Sequence, residues 1–347
     1  MTQQLATGEQ LERFACFGSR CSVLVTGDDG SRTAQAATAD AKRSLLQWHD
    51  RFSRFQADSE LSLLNEDARG ELPASALLVR LAAAVRTAGE LSGGLVDATL
   101  AEEIEIAGYA ADLGEPLSPA LALALAPPRT AARPARASGR PEHWREVEAD
   151  VAAGVVRRPA GVRIDSGGIA KGLFADVLAE RLAGHAAFAV DCAGDLAIGG
   201  VSGLAREVHV ECPFSGHVLH SFVLIDGCVA TSGITRRSWL DGEGRPAQHL
   251  LDPATGAPAF TGIVQVTALA PSALEAEVRA KAALLAGPRG ASRHLPHGGV
   301  VVFDDGSFNV LAPPARVTVE RLAVFLAPQP ARKRAASSEP PVALPSL

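Results

Sequence analysis

The sequence predicts a fold built from both helices and strands, with strands dominating its second half. Three observations carry this reading. Apolar residues recur at helical spacing through 31–55 and 73–92. A hairpin pattern, a glycine-rich turn and a helical pattern follow one another across 147–184, and short apolar runs bounded by turn residues recur after 187.

In chain order, Phe14 to Thr26 (FACFGSRCSVLVT) alternates late in the run and reads as an early strand. The segment 31–55 places Ala41, Leu45, Trp48 and Phe52 on one helical face and passes into the loop ADSELSLLN. Residues 73–92 open with Pro73 at a first-turn position and close on Ser-Gly-Gly, which predicts a largely buried helix. From Leu113 to Glu142, Pro, Ala and Arg accumulate without a sustained period; a long variable loop with one short helix is expected, and no chemistry. Val147 to Ile164 reads as a hairpin, and Asp165 to Gly172 as a turn into the helix LFADVLAERLAG. Strands follow at Ala187 to Asp191, Val208 to Val210, Ser221 to Ile225 and Gly262 to Leu269, then a helix over 272–286 and a strand over 299–303. Residues 1–12 read as a flexible N-terminus, 13–327 as one folded domain, and 328–347 (PQPARKRAASSEPPVALPSL) as a disordered tail.

Composition narrows the function classes. A net charge of −6 argues against a broad nucleic-acid-binding face, which needs a basic stripe to neutralise phosphates, and leaves a local anion pocket open. Five cysteines (Cys16, Cys21, Cys192, Cys212, Cys228) show no zinc spacing and an odd count, so reduced, packed thiols are expected. No basic-then-apolar leader and no membrane-length apolar run is visible, which points to a cytoplasmic protein without membrane insertion. Only four lysines occur, Lys42, Lys171, Lys281 and Lys333, so a lysine inside a motif stands out.

Four segments could carry chemistry. In Asp165-Ser166-Gly167-Gly168-Ile169-Ala170-Lys171-Gly172 the glycines permit close backbone approach and a helix N-terminus offers N–H groups to an anion such as a diphosphate, with Lys171 adding charge and Asp165 a hydrogen bond to a ring or ribose. It is neither GxGxxG nor a Walker loop, and a tight turn with a solvated Lys is the alternative. Asp191 and Asp195 flank a small-residue turn, suited either to metal or ribose contacts or to plain turn capping. Ser232 in Ala230-Thr231-Ser232-Gly233, the basic pair Arg236-Arg237 and His249 in QHLLDPATG lie close in sequence. A Ser232–His249 hydrolase lacks the GxSxG elbow, and DPATG is by itself a common Asp-Pro turn around Asp252. Glu277 and Lys281 share a helix face four residues apart, the spacing of an ordinary surface ion pair.

Taken in order, the segments resemble the FAD:protein FMN transferase (ApbE) family from Phe14 to about Gly287. The matching pieces are ACFGS, FSRFQADSELSLLN, SGGLVDATL, RIDSGGIAKG, VDCAGDLAIGG, VATSGITRRS and QHLLDPATGAP, seven in the family order. The resemblance implies an α+β fold with mixed, largely antiparallel sheets and flanking helices. It implies FAD as donor, magnesium as cofactor, and transfer of FMN onto a Thr or Ser hydroxyl of an acceptor protein with release of AMP; some relatives hydrolyse FAD instead. By position, Phe17, Phe55, Val96, Asp97, Asp165, Lys171, Ser232 and Leu251 fall at flavin-contacting places, and His249 and Asp252 at catalytic ones. The family's magnesium ligands are an Asp, a Thr four residues later and a carbonyl of the glycine loop; the corresponding residues here are Glu277, Lys281 and Gly168. A protonated ammonium has no lone pair to donate, so either Lys281 replaces the metal or the protein binds FAD without transferring it. A monomer or homodimer is expected.

Overall fold

A computed structural model of the chain describes residues 8–111, 116–312 and 324–326. The architecture is α+β. Eight strands form one sheet in which every neighbouring pair is antiparallel. They are β1 (Glu9–Cys16), β2 (Ser19–Thr26), β3 (Ala187–Asp191), β4 (Asp195–Gly199), β5 (Gly227–Gly233), β6 (Ile263–Ala270), β7 (Gly299–Phe303) and β8 (Phe308–Leu311). Their order across the sheet is their order along the chain.

That order positions the site. In an antiparallel sheet of chain-ordered strands, every second connection falls at the same end. The Phe17-Gly18 turn, the Cys192–Gly194 turn and the long connection after Gly233 therefore share one end. Motifs separated by more than two hundred residues converge there without any special device.

Four longer helices pack around the sheet: α1 (Ala34–Arg51), α2 (Ala76–Ser92), α3 (Ala170–Leu182) and α4 (Ala273–Leu285). Ser or Thr caps α1, α2 and α4, each side-chain oxygen accepting a first-turn N–H. α4 is buried nearly all round, ten of its thirteen residues including Glu277 and Lys281, as suits a helix between layers. Its Ala273, Ala276, Val278 and Ala282 join one core cluster with α1, α2 and α3. Its Ala280, Ala283, Leu284 and Leu285 join a second with β6 and β7.

α3 and α4 approach so closely that a Cβ on Gly172 would lie 2.5 Å from the Ala273 carbonyl oxygen. The approach is fastened by Asp176, whose two carboxylate oxygens accept the Ala273 and Leu274 N–H groups at 2.6 and 3.0 Å. Burial pushes the Asp176 carboxyl up to about 6. Asp176→Ala is expected to cost about 1–2 kcal/mol, the scale of a lost helix cap, measured as a lower urea midpoint. Because the native carboxyl holds its proton more tightly than the unfolded one, the loss in this variant is greatest below about pH 4 and shrinks as pH rises through 6.

Several boundaries differ from those expected. The early strand is a hairpin, and it begins at Glu9 inside the segment expected to be flexible. Pro73 belongs to a short strand, Glu71–Pro73, and α2 starts after the cap Ser75. The segment 113–142 contains the expected short helix, Pro119–Leu125, but is tied down at its far end: Thr130 and Ala132 donate backbone hydrogen bonds to Phe260 and Leu285 at 2.9 and 2.8 Å. The five cysteines are free, four of them buried. The tail 328–347 lies outside the described residues.

Candidate active site

At the shared end of the sheet two lysines and two carboxylates form one buried cluster. The Lys171 ammonium, in the first turn of α3, bonds to Asp195 Oδ2 at the start of β4 and lies 3.0 Å from Glu277 Oε1 on α4. Lys281 Nζ lies 2.8 Å from the same Glu277 oxygen. Glu277 Oε2 accepts the Gly172 N–H at 2.9 Å, placing a carboxylate at the N-terminus of α3 where the helix dipole favours it. The side chains of Asp195 and Glu277 are fully buried, and those of Lys171 and Lys281 nearly so.

Burial opposes every charge in this group, and the partners decide the outcome. Lys171 is held above the ordinary lysine range because Asp195 and Glu277 outweigh its desolvation. Glu277 is drawn down, to about 2, by Lys171 and Lys281. Asp195 is pushed up, to about 7, by burial and by Glu277. Lys281 falls below the usual range through burial and the neighbouring Lys171, with Glu277 opposing. The spacing of a surface ion pair thus belongs here to a buried network, and the solvated-lysine reading of Lys171 is excluded.

The glycine loop differs in detail from an open anion cradle. Gly172 N–H is already spent on Glu277, and Gly167 N–H donates to Asp165 Oδ1 at 3.1 Å. Asp165 also faces Arg54 Nε at 3.4 Å, and its N–H bonds to Ala98 O, joining the glycine loop to the Val96–Asp97 segment. Asp97 closes a local turn by accepting the Thr99 N–H at 2.9 Å, while Val96 is buried. Phe55 is exposed, with the Arg54 guanidinium 4.3 Å from its ring centre and Tyr109 5.4 Å away. Tyr109 had no motif to reveal it, and Arg54 lies inside FSRFQADSELSLLN without having been singled out.

Phe17 takes a left-handed backbone, φ 54°, in the β1–β2 turn, and Ala193 does so at φ 59° in the β3–β4 turn. Neither is glycine, and such a conformation costs roughly 1–2 kcal/mol each. Phe17 stacks on Phe174 at 5.9 Å, and its carbonyl accepts from Arg237 Nη2 at 2.7 Å. Arg237 therefore ties the β1–β2 turn to the connection that carries His249.

His249 is partly exposed, and its Nδ1 has no partner among the described residues. Desolvation, then Arg237 and Lys281, drive its pKa down to about 3, so the imidazole is neutral throughout the physiological range. No hydrogen bond joins it to Ser232, which is buried in β5, so the serine-hydrolase arrangement is not formed. Leu251 is buried in a short strand paired with Pro258. Asp252 Oδ1 accepts the Arg133 and Ala254 N–H groups at 2.8 and 3.0 Å, the turn-forming role that its Asp-Pro context also suggests.

The depressed His249 pKa makes a stability prediction. The unfolded imidazole takes up a proton near 6.5 and the native one only near 3, so the unfolded state binds more protons across that window. Stability is present above 6.5 and lost as pH falls toward 3. In His249→Gln the drop in urea midpoint between pH 7 and pH 5 is expected to be smaller than in the wild type.

The residues present do not fit a magnesium ion. Glu277 Oε1 already receives two ammonium groups and Oε2 an amide, Lys281 has no lone pair, and Asp195 Oδ1 is the one carboxylate oxygen of the cluster without a partner. Among the described residues no group of three or more His, Cys, Asp or Glu could hold a metal. A cation bound beside either lysine would meet repulsion of about 4 kcal/mol per pair of unit charges at 4 Å, taking an effective dielectric near 20.

The ApbE family model matches residues 17–302, from the Phe17 turn into β7. The chain belongs to the ApbE family. A FAD:protein FMN transferase of Klebsiella pneumoniae is 25% identical over 295 residues, 83% of this chain and 81% of that relative. The FAD:protein FMN transferase of Escherichia coli K12 is 30% identical over 146 residues, 40% of this chain and 41% of that relative. Among solved structures, the ApbE protein of Thermotoga maritima superposes with a TM-score of 0.70 at 23% identity, covering 87% of this chain and 97% of that one. The flavinyl transferase ApbE of Pseudomonas stutzeri gives 0.67 at 20% identity, covering 88% and 95%. The ApbE fold is thus retained.

Proposed function

We propose that the protein transfers FMN from FAD onto a Thr or Ser hydroxyl of an acceptor protein and releases AMP. The observation that carries this reading is the buried lysine–carboxylate cluster beside a neutral histidine, set at the end of the sheet where the family's segments converge. Phosphoryl transfer asks chiefly for positioning and for charge stabilisation at the diphosphate, and two ammonium groups held in place supply both.

In the proposed reaction the acceptor oxygen attacks the phosphorus on the FMN side of the diphosphate. The bond from that phosphorus to the bridging oxygen breaks, and AMP leaves with the bridging oxygen and its electron pair. The hydroxyl proton passes to His249, which is neutral and whose buried Nδ1 has no hydrogen-bond partner. Lys171 and Lys281 face the charge that accumulates on the phosphate oxygens. Phe17, Phe55, Val96, Asp97, Asp165, Ser232 and Leu251 are assigned to the flavin half of the donor by their places in the family segments. Asp252 shapes the turn behind His249. No step is routed through a metal, because the residues do not fit one.

We further place the protein in the cytoplasm, as a monomer or homodimer without membrane insertion; no helix among the described residues is long and apolar enough to cross a membrane. Incubation with FAD and a flavin-acceptor domain tests the activity: AMP is expected to appear in equal amount to FMN fixed on the acceptor. Free FMN in place of fixed FMN indicates hydrolysis and contradicts the proposal.

A further inference from the structure

Lys281 presents an imbalance. An ammonium has three N–H donors, and Lys281 spends one, on Glu277 Oε1 at 2.8 Å. Its side chain is 7% exposed, so water has little access to the remaining two. Lys171, by contrast, spends two of its three on Asp195 and Glu277. Glu277 is the shared anchor: it is fully buried, holds both ammonium groups on one oxygen, and is itself fixed by the Gly172 N–H. Buried cations keep unfilled donors at a cost unless an anion comes to them.

We propose that Lys281 is a built-in cation that takes the place of a divalent metal at the donor's diphosphate. Its two unfilled N–H groups and the third one of Lys171 donate to the phosphate oxygens, so that FAD binds and turns over without magnesium. The inference rests on the FAD-donor reading above and adds to it the identity of the charge that meets the diphosphate. The geometry explains why both lysines share one carboxylate: Glu277 sets the two ammonium groups a fixed distance apart, as a metal would set its phosphate oxygens.

The test is FAD binding by flavin fluorescence on metal-stripped protein, in EDTA and in magnesium chloride, with a parallel Mn2+ titration followed by EPR. Wild-type affinity is expected to agree within about twofold between the two buffers, and Mn2+ to remain free in the presence of the protein. Lys281→Met is expected to weaken FAD binding in EDTA about 10- to 100-fold, the loss of charge-assisted hydrogen bonds, while Lys281→Arg retains most of it. FAD binding that requires magnesium, or Mn2+ captured by the wild-type protein, overturns the inference and leaves the flavin reading standing. FAD that binds in neither buffer removes the flavin reading and this inference together. The wild-type arms decide the matter even where Lys281→Met does not fold.

Discussion

Lys171→Met is expected to lower FMN transfer by about 10²- to 10³-fold and to reduce stability by about 3–5 kcal/mol. The two losses have one origin. Lys171 bonds Oδ2 of Asp195, a fully buried carboxylate whose Oδ1 has no partner, so its removal strands a charge in the interior. Lys281 stays bound to Glu277 and does not reach Asp195 with a hydrogen bond. The stability deficit has a pH signature. Asp195 already has a raised pKa, about 7, from burial and Glu277, and losing Lys171 raises it further. The wild-type carboxyl already holds its proton below about 7, so the added Asp195 penalty appears as pH rises above 7 and is absent below it. The deficit in urea midpoint should be similar at pH 4 and 6 and larger at pH 8, and AMP release measured on the folded fraction should still be depressed. Equal midpoints at pH 8 would show that Asp195 does not depend on Lys171.

Gly172→Ala is expected to cost about 3 kcal/mol or more and to damage the site with the fold. The added methyl would sit 2.5 Å from Ala273 O and 2.8 Å from the Leu274 Cα, all backbone of the facing helix, so no rotamer change relieves the clash. α3 and α4 must separate, and the bonds that hold them together are those of the site: Gly172 N–H to Glu277 and Asp176 to the start of α4. The glycine serves helix packing and charge placement at once. Gly168→Ala, three residues into the same loop, meets no atom within 4 Å and is expected to leave the urea midpoint near wild type, which separates a packing effect from a general intolerance of the loop.

The core strands and helices were legible where a single period ran between clear turn residues. The predicted 187–191, 299–303 and 272–286 coincide with β3, β7 and α4 to within a residue. The β1–β2 hairpin was not, because its turn is made by Phe17 in a left-handed conformation that phenylalanine rarely adopts. Pro73 misled in the other direction, since proline suits an edge strand as well as a helix start. β4 went unread because its residues, Asp195–Gly199, were absorbed into a motif.

The site was legible as a set of segments and illegible as a charge network. Glu277 and Lys281 have the same spacing whether they lie on a surface or between two cores, and periodicity cannot tell the two apart. The alanines around them are the only local trace of burial. Asp195 was visible as a turn residue or a metal or ribose contact, not as an ion partner; its pairing with Lys171 spans 24 positions and depends on the sheet order. Asp252 shows the converse, a motif carboxylate whose oxygen serves the turn.

The most direct test of the account is the intact mass of an acceptor domain after incubation with this protein and FAD in EDTA. The predicted result is a gain of one FMN by the acceptor, dependent on Lys171 and matched by AMP. An acceptor that an active relative can modify, yet which stays at its starting mass here with and without magnesium, would contradict transferase function for this chain.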